Sequence, residues 1–115
     1  MITMKGYQPI QIADKISIRQ TLQAQEMIQI TSNCPQSLIA DLGIKQWPIW
    51  SCEASTFPWT YDEKETCLIL EGSVRVTPNE GEEVEFSAGD LVEFPKGLAC
   101  TWHVKQAVRK HYKFG

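Results

Sequence analysis

From Trp47 onward, apolar and β-branched runs too short for helices alternate with residues that tight turns favour. The interruptions are Glu71-Gly72, Pro78-Asn79-Glu80-Gly81, Ala88-Gly89-Asp90 and Pro95-Lys96-Gly97. Glycine supplies positive φ at such points and proline pre-sets φ, so each is expected to end one extended segment and begin another. Strands are expected over 49–54, 66–70, 73–77, 83–86, 91–94, 100–104 and 110–113. Short strands without intervening helices give a sandwich or barrel rather than alternating β-α-β units.

The 115 residues suit one domain. Within it, residues 1–33 are rich in Gln, Ile and Thr and form an N-terminal extension, whereas 34–115 hold nearly all the aromatic residues and form the main body. Residues 14–24 read as a short helix with Ile18 and Leu22 on one face, and 27–31 alternate like a strand. Asn33 is placed to cap a helix starting at Pro35, with Leu38, Ile39 and Leu42 on its buried side and Gly43 as a left-handed stop.

Charge and hydropathy exclude several partners. Net charge is −3 and no run of Lys or Arg forms a stripe that could follow a phosphate backbone, so nucleic acid is not expected. The one local basic group, Arg109-Lys110 with His111, reads as a solvated strand edge. No run approaches the roughly 20 apolar residues that span a bilayer. The first residues lack the charged-then-apolar pattern of a secretory signal, which leads to the expectation of a cytoplasmic protein. Cys34, Cys52, Cys67 and Cys100 never form a C-x-x-C pair, which excludes a zinc knuckle or dithiol redox motif and leaves free, buried thiols.

One spacing carries more than the rest. Glu65 is followed after six residues by Gly72, and Gly89-Asp90 leads after a further interval to Pro95-Lys96-Gly97 and then Cys100. This resembles the paired motifs of the cupin superfamily, G-x5-H-x-H-x3-4-E-x6-G and G-x5-P-x-G-x2-H-x3-N. The surrounding words Trp47-Pro48-Ile49-Trp50, Phe57-Pro58-Trp59-Thr60-Tyr61 and Arg109-Lys110-His111-Tyr112 are similar to those of small single-domain cupins related to the cupin domain of ureidoglycine aminohydrolase. The resemblance spans about residues 44–114. It implies an all-β fold, a cupin-type double-stranded β-helix or jelly-roll barrel, to which the residues before it add the short N-terminal helix and extension.

The departures from that pattern matter for function. Where the resemblance places two histidines, this chain has Trp59 and Tyr61, or Pro58 and Thr60 with the longer spacer, and the third histidine position is Cys100. Glu65 alone survives of the usual ligands, and one carboxylate with one thiolate rarely holds Mn, Fe or Zn. A tightly bound metal is therefore not expected, and the cofactor is left unassigned. His103 falls on the strand face opposite Cys100, and nothing in the spacing requires His111 to point inward.

Strand parity then names a pocket. If Glu65 faces the interior, so do Cys67 and Ile69; Cys100 shares a face with Trp102, and Trp59 with Tyr61. With Trp50 these residues form an aromatic lining suited to a small polar metabolite, with Trp50, Trp59, Cys67 and Trp102 contacting the ligand. Glu65, Tyr61 and Cys100 are the candidates for chemistry, as general base, proton donor, and nucleophile or ligand. Leu68 and Leu70 would face outward, which calls for a homodimer or a covering N-terminal segment. Three readings compete: a metabolite-binding cupin without a metal, a metal-dependent enzyme of aminohydrolase or isomerase type, and a scaffold for partner binding.

Overall fold

The computed structural model describes residues 27–115; the expected helix over 14–24 lies outside them. In chain order the elements are β1 (Gln29–Thr31), helix α1 (Gln36–Leu42), a 3₁₀ turn (Ile44–Gln46), β2 (Ile49–Cys52), β3 (Ser55–Thr60), β4 (Glu65–Pro78), β5 (Val84–Ser87), β6 (Leu91–Phe94) and β7 (Ala99–Phe114). All strand pairings are antiparallel.

Two long strands organise the rest. β4 and β7 run against each other from Glu65 opposite Phe114 to Pro78 opposite Cys100. The first part of β4 also pairs with β6, which pairs in turn with β1, and the end of β7 pairs with β2, giving the order β1-β6-β4-β7-β2. The second part of β4 pairs instead with β5, and the start of β7 with β3. Two half-sheets thus share the same pair of strands, and their inward side chains meet in one core that includes Cys67, Ile69, Val74, Phe86, Phe94, Trp102 and Val108. The fold is the all-β cupin jelly roll.

Several expected boundaries are corrected. Glu71-Gly72 is not a turn: β4 continues through it, and its register against β7 shifts between Ile69 and Glu71, between Glu71 and Ser73, and between Ser73 and Val74. Such bulges bend a strand without ending it. The separate strands expected over 100–104 and 110–113 are likewise one strand, β7. β3 is not among the expected strands; it contains Pro58, and its sheet partner among the described residues is β7, a placement at a sheet edge that tolerates a residue unable to donate. Asn33 does not cap α1. It adopts φ 51° and its backbone N–H donates to Asp90 Oδ1 at 3.2 Å, while Pro35 precedes the helix without a side-chain cap.

The C-terminal end of α1 follows the sequence reading, with Gly43 in the left-handed region at φ 66°. Ile39 is buried, whereas Leu42 is exposed, not buried as expected. Leu68 and Leu70 do face away from the core, but Ile39 of α1 and Ile44 of the 3₁₀ turn pack on that side together with Leu91, Leu38 and Trp47. The two leucines therefore require no second subunit. Among the described residues, no helix is long and apolar enough to cross a membrane.

Candidate functional site

Alternation along four strands builds one cavity. On either side of the exposed Gln106 the even-numbered residues of β7 face inward, and Cys100, Trp102, Val104, Val108 and Lys110 are all buried. Odd-numbered residues of β3 and the turn beyond it bring in Phe57, Trp59 and Tyr61, β2 contributes Trp50, and β4 opens with Glu65. Of these, Trp50, Phe57, Trp59, Tyr61, Glu65, Trp102 and Lys110, together with Tyr112 and Phe114, line a half-open cavity of about 180 Å³. Its wall is an aromatic lattice: Phe57 stacks on Trp102 at 6.0 Å between centroids, and Trp50 meets Trp102 edge-on at 6.1 Å. Trp59 is half-exposed at the mouth, whereas Tyr61 is buried and stacked on Phe94 at 4.9 Å.

An ion pair lies in this wall. Lys110 Nζ donates to Glu65 Oε2 at 2.7 Å, and the two side chains are 6% and 4% exposed. The ammonium also sits 4.6 Å from the Trp102 ring centroid and 4.9 Å from that of Trp50. A buried ammonium is tolerated only with compensation, and here a carboxylate and two π faces supply it. Glu65 and Lys110 come from different strands: Glu65 stands opposite Phe114 and Lys110 opposite Ile69 in the β4–β7 register, so the lysine side chain extends along the buried face of the pair to reach the carboxylate.

Tyr61 and the two buried thiols stay protonated. Burial first, then the Glu65 carboxylate, push the Tyr61 phenol well above its ordinary range, although the hydrogen bond from Trp102 Nε1 at 3.2 Å works the other way. Tyr61 is therefore a donor. Cys67 is pushed up to about 12, by burial above all, with Lys110 pulling it down and Glu65 raising it. Cys100 is pushed up to about 11 by burial and then by Glu65, and its Sγ donates to the Trp59 carbonyl at 3.6 Å. Neither thiol is in the cavity wall. A thiol with a raised pKa is a poor nucleophile at neutral pH.

A pH dependence follows with a definite sign. Above the ordinary thiol value of 9.0 the unfolded chain releases protons that folded Cys100 retains until about 11, so stability present below pH 9 is lost as pH rises through that interval. Urea denaturation at a series of pH values should show stability falling in this range, with a shallower fall in Cys100→Ala. Equal slopes in the two proteins would contradict the burial argument.

The residues present do not fit the metal ion that cupins of the usual pattern carry. Trp59 offers no ligating atom, the Tyr61 oxygen accepts from Trp102 Nε1, Cys100 lies outside the cavity wall with its Sγ donating to the Trp59 carbonyl, and the surviving carboxylate, Glu65, already holds a cation. Among the described residues, no three His, Cys, Asp or Glu side chains come together closely enough to hold a metal. His103 faces away beside Thr56, 3.3 Å from its hydroxyl. His111 also faces away, with Nδ1 2.9 Å from the Trp47 carbonyl oxygen.

Of the residues named from sequence, the structure brings together Trp50, Trp59, Tyr61, Glu65 and Trp102 and sets Cys67 and Cys100 behind them. Sequence reading missed Phe57, Lys110, Tyr112 and Phe114. The signal for three of these was present: Lys110, Tyr112 and Phe114 have the parity of Cys100 and Trp102 once β7 is read as unbroken.

A family model described as the EutQ-like cupin domain matches residues 39–112. Among curated proteins, the acetate kinase EutQ of Salmonella typhimurium is 34% identical over 70 residues, which are 61% of this chain and 28% of that protein. The chain thus matches little more than a quarter of its curated relatives' length. Among solved structures, a DUF861 family protein from Thermotoga maritima matches with TM-score 0.75 and 45% identity over 77% of this chain and 100% of that one. A putative ethanolamine utilization protein Q from Salmonella typhimurium matches with TM-score 0.53 and 32% identity over 57% and 53% of the two chains.

Proposed function

We propose that this chain, which belongs to the EutQ-like cupin domain family, binds a small, uncharged, polar metabolite in its aromatic cavity, with the Lys110 ammonium in place of a metal cation. The observation that carries this reading is the buried Glu65–Lys110 pair. Its two charges cancel. A ligand with a net charge would either enter without a partner or pull the pair apart, and breaking a buried pair costs about 3–5 kcal/mol. An uncharged ligand avoids that cost.

Size and chemistry narrow the class further. A cavity of about 180 Å³ is smaller than those that take drug-sized molecules, roughly 300–1,000 Å³. The aromatic walls offer contact area to C–H groups or to a planar face, while Glu65, Lys110 and Tyr61 supply the few polar atoms that fix orientation. Polyols and hydroxycarbonyl compounds meet these demands. The resemblance to the ureidoglycine aminohydrolase cupins adds amide or ureido groups, which place a carbonyl acceptor beside an N–H donor.

Saturation-transfer NMR tests the reading with probes of similar size: erythritol and dihydroxyacetone as uncharged molecules, glycerate as an anion and 2-amino-1,3-propanediol as a cation. Transfer is expected to the uncharged probes above all and should weaken at least severalfold in Trp59→Ala, which removes a half-exposed ring at the mouth without emptying the core. Stronger transfer to glycerate or to the ammonium probe, or no loss in Trp59→Ala, would overturn it.

A further inference from the structure

The polar atoms of the cavity are arranged for more than retention. Glu65 uses Oε2 to hold Lys110, and among the described residues Oε1 has no hydrogen-bond partner, although Glu65 is in the cavity wall. The Lys110 ammonium has three N–H donors and one carboxylate partner, which leaves donors beside a cavity whose wall it shares. Tyr61 accepts from Trp102 Nε1, so its own O–H proton remains to be donated, and the residue lies in the same wall. A carboxylate acceptor and two donors therefore surround one small, largely apolar space.

That set matches the needs of one reaction class. Removing a proton from the carbon next to a carbonyl requires a base at the carbon and donors at the oxygen that gains charge, and a dry site strengthens both interactions. We propose that the cavity enolises small α-hydroxycarbonyl compounds, with Glu65 as the base and Lys110 and Tyr61 as donors to the developing enolate oxygen. The proposal rests on the binding reading above and extends it from retention to proton transfer.

The step balances without an added oxidant or reductant. The C–H bond next to the carbonyl breaks and its proton passes to Glu65 Oε1. The electron pair left behind forms the carbon–carbon double bond of the enediolate, and the carbonyl π pair moves onto oxygen, where the Lys110 N–H and Tyr61 O–H hold it. Return of the proton to the same carbon regenerates the substrate, and delivery to the neighbouring carbon, with proton transfer between the two oxygens, interconverts a hydroxyaldehyde and a hydroxyketone. In both cases Glu65 ends ionised and paired to Lys110 as it began.

Lys110 fills the part that a metal would otherwise play. A fixed positive charge beside the enolate oxygen stabilises it in the transition state, and the Trp50 and Trp102 rings limit where that charge can move. Three substitutions separate the roles. Glu65→Gln removes the base, Tyr61→Phe removes one donor while leaving the ring stack on Phe94 and the ion pair, and Lys105→Ala, on an exposed pair with Glu85, serves as a control.

The experiment incubates the protein with dihydroxyacetone in deuterated buffer and follows deuterium entry into its methylene groups by NMR, alongside saturation transfer from the protein to the same probe. Wild type and Lys105→Ala should exchange alike, Glu65→Gln should lose about a hundredfold or more as expected for a general base, and Tyr61→Phe should be slower than wild type while still binding the probe. Circular dichroism identifies a variant that fails to fold; if Glu65→Gln does, the Tyr61→Phe result decides. Binding without protein-dependent exchange, or exchange unaltered in a folded Glu65→Gln or in Tyr61→Phe, overturns enolisation and leaves the binding reading standing. Absence of both binding and exchange removes the two together.

Discussion

Lys110→Met should lower the unfolding free energy by about 3–5 kcal/mol, because it strands the Glu65 carboxylate in a site where that side chain is 4% exposed. Glu65→Gln should do comparable damage from the other side, since it leaves a buried ammonium with no countercharge, only an amide oxygen and two π faces. The double variant Glu65→Gln/Lys110→Met removes both charges and should recover most of the loss, as replacements of whole buried pairs often do. Urea denaturation of the four proteins at neutral pH gives the coupling directly. Single losses of at most about 1 kcal/mol would instead indicate a solvated pair of the surface kind. The surface pairs provide that comparison internally: Lys105–Glu85 has the same 2.7 Å separation but side chains 42% and 56% exposed, and its removal should change stability very little.

Gly72→Ala should be as severe, for a reason that has nothing to do with the cavity. Gly72 has φ 97°, a region that side chains rarely adopt, and a Cβ there would collide with the backbone carbonyl oxygen of Ala107 and come within 2.8 Å of the carbonyl oxygen of Gln106. Both obstacles are backbone of the paired strand, at the point where the β4–β7 register shifts. Neither can swing aside as a flexible side chain would. Strain of this φ class alone costs about 1–3 kcal/mol, and displacing β7 adds to it. Thermal denaturation should therefore show a large loss of stability or no folded protein. Gly81→Ala is the matched control: its φ is 111°, but a Cβ there meets nothing within 4 Å, so only the conformational part of the cost applies.

These two residues also show how far the sequence could be read. Gly72 was visible because it stands at a fixed distance from Glu65 and Gly89, but the residues alone did not distinguish a turn from a bulge. Both use positive φ, and the difference lies in whether the partner strand continues past it. The division of β7 into two expected strands had the same origin: Lys105, Gln106, Ala107 and Arg109 are exposed and lack the apolar alternation that marks a strand, yet the ladder runs through them.

That error hid Lys110. Parity counted from Cys100 and Trp102 reaches Lys110 only if the strand is unbroken, and with the strand broken the Arg109-Lys110-His111 run reads as a solvated edge. Arg109 and Lys110 in fact part company at the first alternation, Arg109 pairing on the surface with Glu71 and Lys110 turning inward to Glu65. Glu65 was legible because parity and motif position agreed on it. Phe57 shares the parity of Trp59 and Tyr61, but no strand was expected over residues 55–60, so the alternation was not carried back to it.

The central claim, that an ammonium takes the place of a metal beside Glu65, is tested most directly by a crystal structure with anomalous data, from protein purified without chelator and exposed to Mn, Fe and Zn. The expected result is no anomalous peak in the cavity and Lys110 Nζ within hydrogen-bond distance of the Glu65 carboxylate, near the 2.7 Å seen here. An anomalous peak at about 2.0–2.2 Å from a Glu65 oxygen, as for a coordinated zinc, with Lys110 displaced, would contradict it.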